Sequence, residues 1–289
     1  MREGGSGKTY FFLILLGSAV LILYFQVFVW LVSSWEFNPY YSHGILIPFI
    51  SVFLIWRIWE KERKNFVPGL NLPGVLLIIA GLFVYTVGYL YAAYWLCALS
   101  LIPILQGILS QISGWKNSLQ FLFPVIFLIF MIPLPFIDYV STYFAAFSVY
   151  CASIVLRACG IPVIINGAEL FLSDLSFRIG LLCSGLKTLI ALLIPSCLLI
   201  FMYECNFKIK LLLFILIFPL ALVTNIVRIL LLVFFSQVFG MGPALETVHD
   251  ILGIMMPILV FIGILALAQS IGCSSIKKGI ITPEPDHPR

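Results

Sequence analysis

Apolar residues run almost unbroken through most of this 289-residue chain, with polar residues gathered in a few short gaps. Apolar windows of about 20 residues are what a bilayer core demands of a helix. They fall near 10–32, 44–59, 72–91, 93–111, 119–137, 183–205, 211–235 and 248–271. A ninth segment, 138–159, is apolar but carries Ser, Thr, Tyr, Cys and Arg157, with Asp138 at its start. The pattern changes at 161–182, "IPVIINGAELFLSDLSFRIGLL". Asn166-Gly167 is a hairpin turn signal, flanked by Val163-Ile164-Ile165 and by alternating Leu170, Leu172 and Asp174. A short β-hairpin leading directly into Cys183 is therefore expected.

Charge sets the orientation, because Lys and Arg favour cytoplasmic loops. The dense groups are Arg57–Lys61–Arg63–Lys64, Lys208 with Lys210, and Lys277 with Lys278. They share one side with Arg2, Lys8 and Lys116 only if 138–159 does not cross. The expected fold is thus an all-α integral membrane protein with a bundle of eight transmembrane helices. Segment 138–159 lies along the outer interface as an amphipathic helix, and the hairpin is extracytoplasmic. The chain reads as one polytopic domain, 1–289, with cytoplasmic tails at 1–9 and 272–289. Tyr10–Val32 is too long for a signal-peptide core and no small-residue cleavage site follows it, so it reads as a retained span.

Composition narrows the function classes. Only 10% of residues are charged and 62% are hydrophobic, against about 25% charged in a soluble domain. Any chemistry must come from helix ends and short loops, and the small basic excess serves orientation rather than nucleic-acid binding. Cys97, Cys151, Cys159, Cys197, Cys205 and Cys273 lack paired or metal-ligand spacing and read as small packing residues. No His/Cys/carboxylate cluster has ligand spacing and no Gly-rich phosphate loop occurs, so neither metal nor organic cofactor is expected.

The seventh cysteine differs. In "IGLLCSGLKTLIALL", Cys183 opens a descending helix with Ser184, Gly185 and Lys187 close by. A helix N-terminus and a nearby cation both lower a thiol pKa. Gly185 permits close approach of another backbone, and Ser184 offers a hydrogen bond. Arg228, in "LVTNIVRILLLVFF", lies about 10 Å below the outer end of its span at 1.5 Å per residue. An arginine at that depth faces the bundle interior and marks function. Asn225, three residues earlier on the same helix face, is positioned to hold its guanidinium. His249, in "ETVHDILGIMMP", begins the last descending helix, and His43 of "YYSHGILIP" is a second outer-side base. A nucleophile, a fixed cation and a titratable base thus reach one layer. A transporter or channel in which Arg228 binds an anionic solute is the alternative, and an assembly partner without chemistry is a third reading.

The ordered set Cys183-Ser184-Gly185, Asn225-x-x-Arg228 and His249-x-x-x-Gly253 resembles the exosortase/archaeosortase family. The likeness extends to Tyr41-Ser42-His43-Gly44, Phe123-Pro124, Pro133-Leu134-Pro135 and the hairpin before the cysteine. Lys187 stands where an arginine commonly follows the Cys-Ser-Gly motif, and Gly180-Leu181-Leu182 replaces small or acidic residues. The resemblance implies a membrane cysteine transpeptidase at the outer face of the cytoplasmic membrane. Its partners would be exported proteins bearing a C-terminal sorting signal: a short motif such as Pro-Glu-Pro, a transmembrane helix, then a basic cluster. It further implies Cys183 as nucleophile forming a thioester, Arg228 as oxyanion stabiliser and His249 as general acid/base.

Overall fold

The computed structural model describes residues 17–38, 40–172, 175–177, 185–240, 243–273 and 275–276. They divide between two compact units, Met1–Leu134 and Pro135–Arg289. Among the described residues six helices are long and apolar enough to cross a membrane, or seven if one bent pair counts as a span. Eight such helices were expected. The windows at 119–137 and 183–205 account for part of the difference, because their helical stretches, Trp115–Met131 and Leu186–Met202, are shorter.

In the first unit, α1 (Gly17–Leu23) and α2 (Phe25–Phe37) meet at a 64° bend. Tyr24 stands at the bend, fully buried, with its hydroxyl 2.6 Å from Ser100 Oγ. A 3-10 turn, Ser42–Ile45, leads into α3 (Leu46–Glu62). Helices α4 (Leu72–Leu90) and α5 (Tyr94–Ser113) then pack closely. A β-carbon at Gly81 would fall 2.5 Å from Ile104 Cγ1 and 3.1 Å from the Ser100 carbonyl. Small residues at such positions let membrane helices approach backbone to backbone.

The window 119–137 does not form one helix. Short helices α6 (Trp115–Ser118) and α7 (Leu122–Phe127) alternate with 3-10 turns at Leu119–Phe121 and Leu128–Met131. Ile132 is extended, at φ −92° and ψ 116°. Pro133 follows it, and a proline pushes the preceding residue out of the helical region. The helical path therefore ends at Met131, six residues short of the expected boundary.

In the second unit, 138–159 is a 22-residue helix, α8 (Ile137–Ala158), and it is among the six of span length and apolarity. Its outward face carries Tyr139, Tyr143, Phe147, Tyr150 and Ile154, whereas Ser141, Ala145, Ser148, Ala152 and Ser153 are buried. A surface-lying helix would turn its polar residues to water. Here the hydroxyls do not need water, because Thr142, Ser148 and Ser153 donate to the carbonyls of Asp138, Phe144 and Tyr150 within their own helix.

Strands β1 (Val163–Asn166), β2 (Glu169–Leu172) and β3 (Leu175–Phe177) form an antiparallel sheet in that order. Asn166 pairs with Glu169, so the chain turns at Gly167-Ala168, one residue later than the sequence signal suggested. Gly167 takes the positive φ, 58°, that the turn requires. The Arg157 guanidinium donates to the Val163 carbonyl at 3.1 Å and joins the end of α8 to β1.

Three helices complete the unit: α9 (Leu186–Met202), α10 (Phe207–Phe239) and α11 (Pro243–Ser270). Leu186, Leu192, Leu213, Ile217, Ala221, Ile264 and Ala268 share one buried cluster across them. Asn206 caps α10 by accepting from the Lys208 amide, and Gly240 ends it at φ 71°. The resulting 33 residues reach about 50 Å at 1.5 Å per residue. Beyond α9, β4 (Tyr203–Glu204) pairs with β5 (Ser275–Ile276), and a disulfide joins Cys205 to Cys273. These two cysteines were expected to be unpaired packing residues. Their partnership spans 68 positions and has no local signal. Disulfides persist in oxidising compartments, whereas Lys208 and Lys210 assign this end to the cytoplasm by charge, so the two signals oppose each other.

Candidate active site

Helix α9 is preceded by Gly185 at its N-cap, whose φ of 77° lies in the left-handed region. Only a residue without a β-carbon adopts that conformation readily, and this one also lacks room for a side chain. A β-carbon at 185 would fall 2.7 Å from Cγ of Asn225. Lys187, two residues on, is exposed and lines a cavity of about 340 Å³ together with Thr188, Arg228, His249, Asp250 and Gly253. That volume lies within the range of small-molecule and peptide-side-chain sites.

Arg228 comes from the middle of α10 and is 5% exposed. Its Nη2 donates to His249 Nε2 at 3.0 Å and to the His249 backbone carbonyl at 3.2 Å. Gly253, one helical turn after His249, allows this approach: a β-carbon there would stand 3.0 Å from Nη2. The spacing His249-x-x-x-Gly253 is thereby explained as one base and one bare patch of backbone facing the same guanidinium. His249 Nδ1 lies 3.2 Å from Asp250 Oδ1. Arginine has no acceptor atom, so Nε2 must accept, and the ring proton then sits on Nδ1 and points to Asp250.

Asn225 does not hold Arg228 as expected. It is fully buried, and neither atom of its carboxamide has a hydrogen-bond partner among the described residues. Arg228 Nε is likewise buried without a partner there. The guanidinium is anchored by α11 instead. Asp250 was missed in the sequence because adjacent residues on a helix do not ordinarily face each other; an acidic residue directly after the histidine was the available signal.

The structure thus brings Lys187, Arg228 and His249 to one cavity, and puts Gly185 against Asn225 beside it. Cys183 and Ser184 lie outside the described residues. His43 belongs to the first unit, in the turn Ser42–Ile45, with its ring stacked on Tyr41 at 6.0 Å between centroids. Its Nε2 is buried without a partner among the described residues.

A family model described as transmembrane exosortase matches residues 35–267. No curated protein and no solved structure matches the chain.

Proposed function

The chain belongs to the transmembrane exosortase family and is a membrane transpeptidase of the exosortase type; from that premise we propose a cysteine mechanism run by Cys183, Arg228 and His249. Cys183 attacks the scissile carbonyl of an exported protein's C-terminal sorting signal. The thiol proton passes to His249, and the carbonyl oxygen gains negative charge beside Arg228. Collapse of the tetrahedral intermediate forms a thioester on Cys183, and His249 returns the proton to the leaving amine. The released fragment keeps the transmembrane helix and basic cluster. An acceptor nucleophile then resolves the thioester by transfer, or water resolves it by hydrolysis. The site works at the extracytoplasmic face of the cytoplasmic membrane.

The observation that carries this reading is the Arg228–His249 contact at 3.0 Å in a cavity also lined by Lys187, four residues after Cys183. A buried guanidinium is held beside a part-exposed imidazole, and a preorganised fixed charge is an effective stabiliser of a developing oxyanion.

The test is co-expression with an exported reporter ending in Pro-Glu-Pro, an apolar helix and a basic cluster, with release from the membrane followed on gels. Cys183→Ala abolishes release, and Arg228→Ala lowers it by about 10²–10³-fold. Release that continues in Cys183→Ala overturns the mechanism. Solute flux in vesicles that survives Cys183→Ala but not Arg228→Ala would favour the transporter reading instead.

A further inference from the structure

Nε2 of His249 has one lone pair, and in this site Arg228 occupies it. The imidazole cannot hold that hydrogen bond and a proton on Nε2 together. When Nε2 takes up a proton, the Arg228 N–H must leave it, while the second bond, from Nη2 to the His249 carbonyl at 3.2 Å, can persist. Protonation of the base and release of an arginine donor are therefore one event. This works only if Nε2, and not Nδ1, is the nitrogen left open to accept.

We propose that Asp250 is a positioning residue that enforces this choice: its carboxylate holds the ring proton on Nδ1, keeping Nε2 as the acceptor that tethers Arg228 at rest and surrenders it on protonation. The inference rests on the cysteine mechanism above. The thiol proton of Cys183 moves to Nε2, leaving a thiolate and an imidazolium, and the freed Arg228 N–H turns to the developing oxyanion. The charged groups around His249 support the assignment. Lys187 on α9 and Arg228 on α10 are both cationic and line the same cavity. Asp250, on α11 and 3.2 Å from Nδ1, is the one carboxylate among the described residues lining that cavity, and it offsets the charge.

Alkylation of Cys183 tests this without a known substrate. The full chain is reconstituted in vesicles with Cys97, Cys151, Cys159 and Cys197 replaced by Ala, and the iodoacetamide rate at Cys183 is read by mass spectrometry. A hydrogen bond to a charged partner is worth enough that Asp250→Ala should slow alkylation about tenfold. Asp250→Asn keeps an acceptor oxygen without the charge and should lose less, and Asp250→Glu should recover most of the rate. In a His249→Ala background, Asp250→Ala should have no further effect, which a merely structural role would not produce. If His249→Ala is slow but Asp250→Ala alkylates at the parental rate, the inference fails and the mechanism stands. If His249→Ala alkylates as fast as the parent, the pairing of Cys183 with His249 fails and takes the inference with it. Asn keeps the side-chain size and Glu keeps the charge, so a folding defect confined to Asp250→Ala, seen by size-exclusion chromatography, leaves the order of the other two decisive.

Discussion

Arg228 lies across the backbone of α11 at Gly253, where a β-carbon would stand 3.0 Å from Nη2. The arginine and the glycine belong to different motifs on different helices, and each is explained by the other. Glycine inside a helix costs about 1 kcal/mol against alanine. At this position that cost goes with room for a guanidinium rather than with any turn.

Gly253→Ala should therefore separate stability from activity. The helix gains propensity while the guanidinium shifts by a few tenths of an ångström, and catalytic groups tolerate little misplacement. The expected outcome is an undiminished thermal midpoint with reporter release lowered about tenfold. Equal loss of both would contradict the assigned role.

Gly185 is constrained twice, by its φ of 77° and by the Asn225 carboxamide. Alanine at 185 should cost about 1–3 kcal/mol from the backbone alone, with the collision added. Asn225→Ala removes the contacts with Cγ and Nδ2 but leaves Cβ at 2.9 Å, so it relieves part of the collision and none of the backbone cost. A double-mutant cycle should accordingly give a coupled, non-additive result, with the pair less destabilised than the sum of the singles. Strict additivity in denaturation midpoints would argue against the contact.

In the first unit, Gly81→Val should force α4 from α5, since Ile104 and the Ser100 carbonyl already occupy the space. Overpacking of this kind costs about 1–3 kcal/mol. A lowered thermal midpoint is expected, and an unchanged one would contradict the close approach of the two helices.

The disulfide gives a prediction that also bears on topology. Without reductant, a maleimide of high mass should add to none of Cys205 and Cys273, and after reduction it should add to both. Replacing the pair by Ala should lower stability by about 2–4 kcal/mol. Labelling from one side of sealed vesicles after reduction then reports which compartment this end of the bundle meets. Reaction of both thiols before reduction would overturn the bond.

Much of this architecture was legible where the physics is local. The windows at 72–91 and 93–111 became α4 (Leu72–Leu90) and α5 (Tyr94–Ser113), because long apolar runs leave a membrane chain little choice but helix. The window at 138–159 was set along the interface by the balance of Lys and Arg, whereas its length and apolarity are those of a span and its Ser and Thr hydroxyls bond to their own helix. The run to 137 was overextended by neglect of Pro133. The partnership of Cys205 with Cys273, and the burial of Asn225 against Gly185 rather than beside Arg228, depend on which helices pack together, and no residue spacing encodes that. Arg228 was the most readable site residue, since depth alone marked it as unusual.

Cys205 and Cys273 also bear on how the last three helices are held. The feet of α9, α10 and α11 are tied together at the end remote from the cavity, so these helices resemble the arms of tongs riveted at one extremity. Lys187, Arg228 and His249 meet well away from that rivet. Cutting the rivet should therefore let the tied ends slip while the contacts around the cavity stay in place.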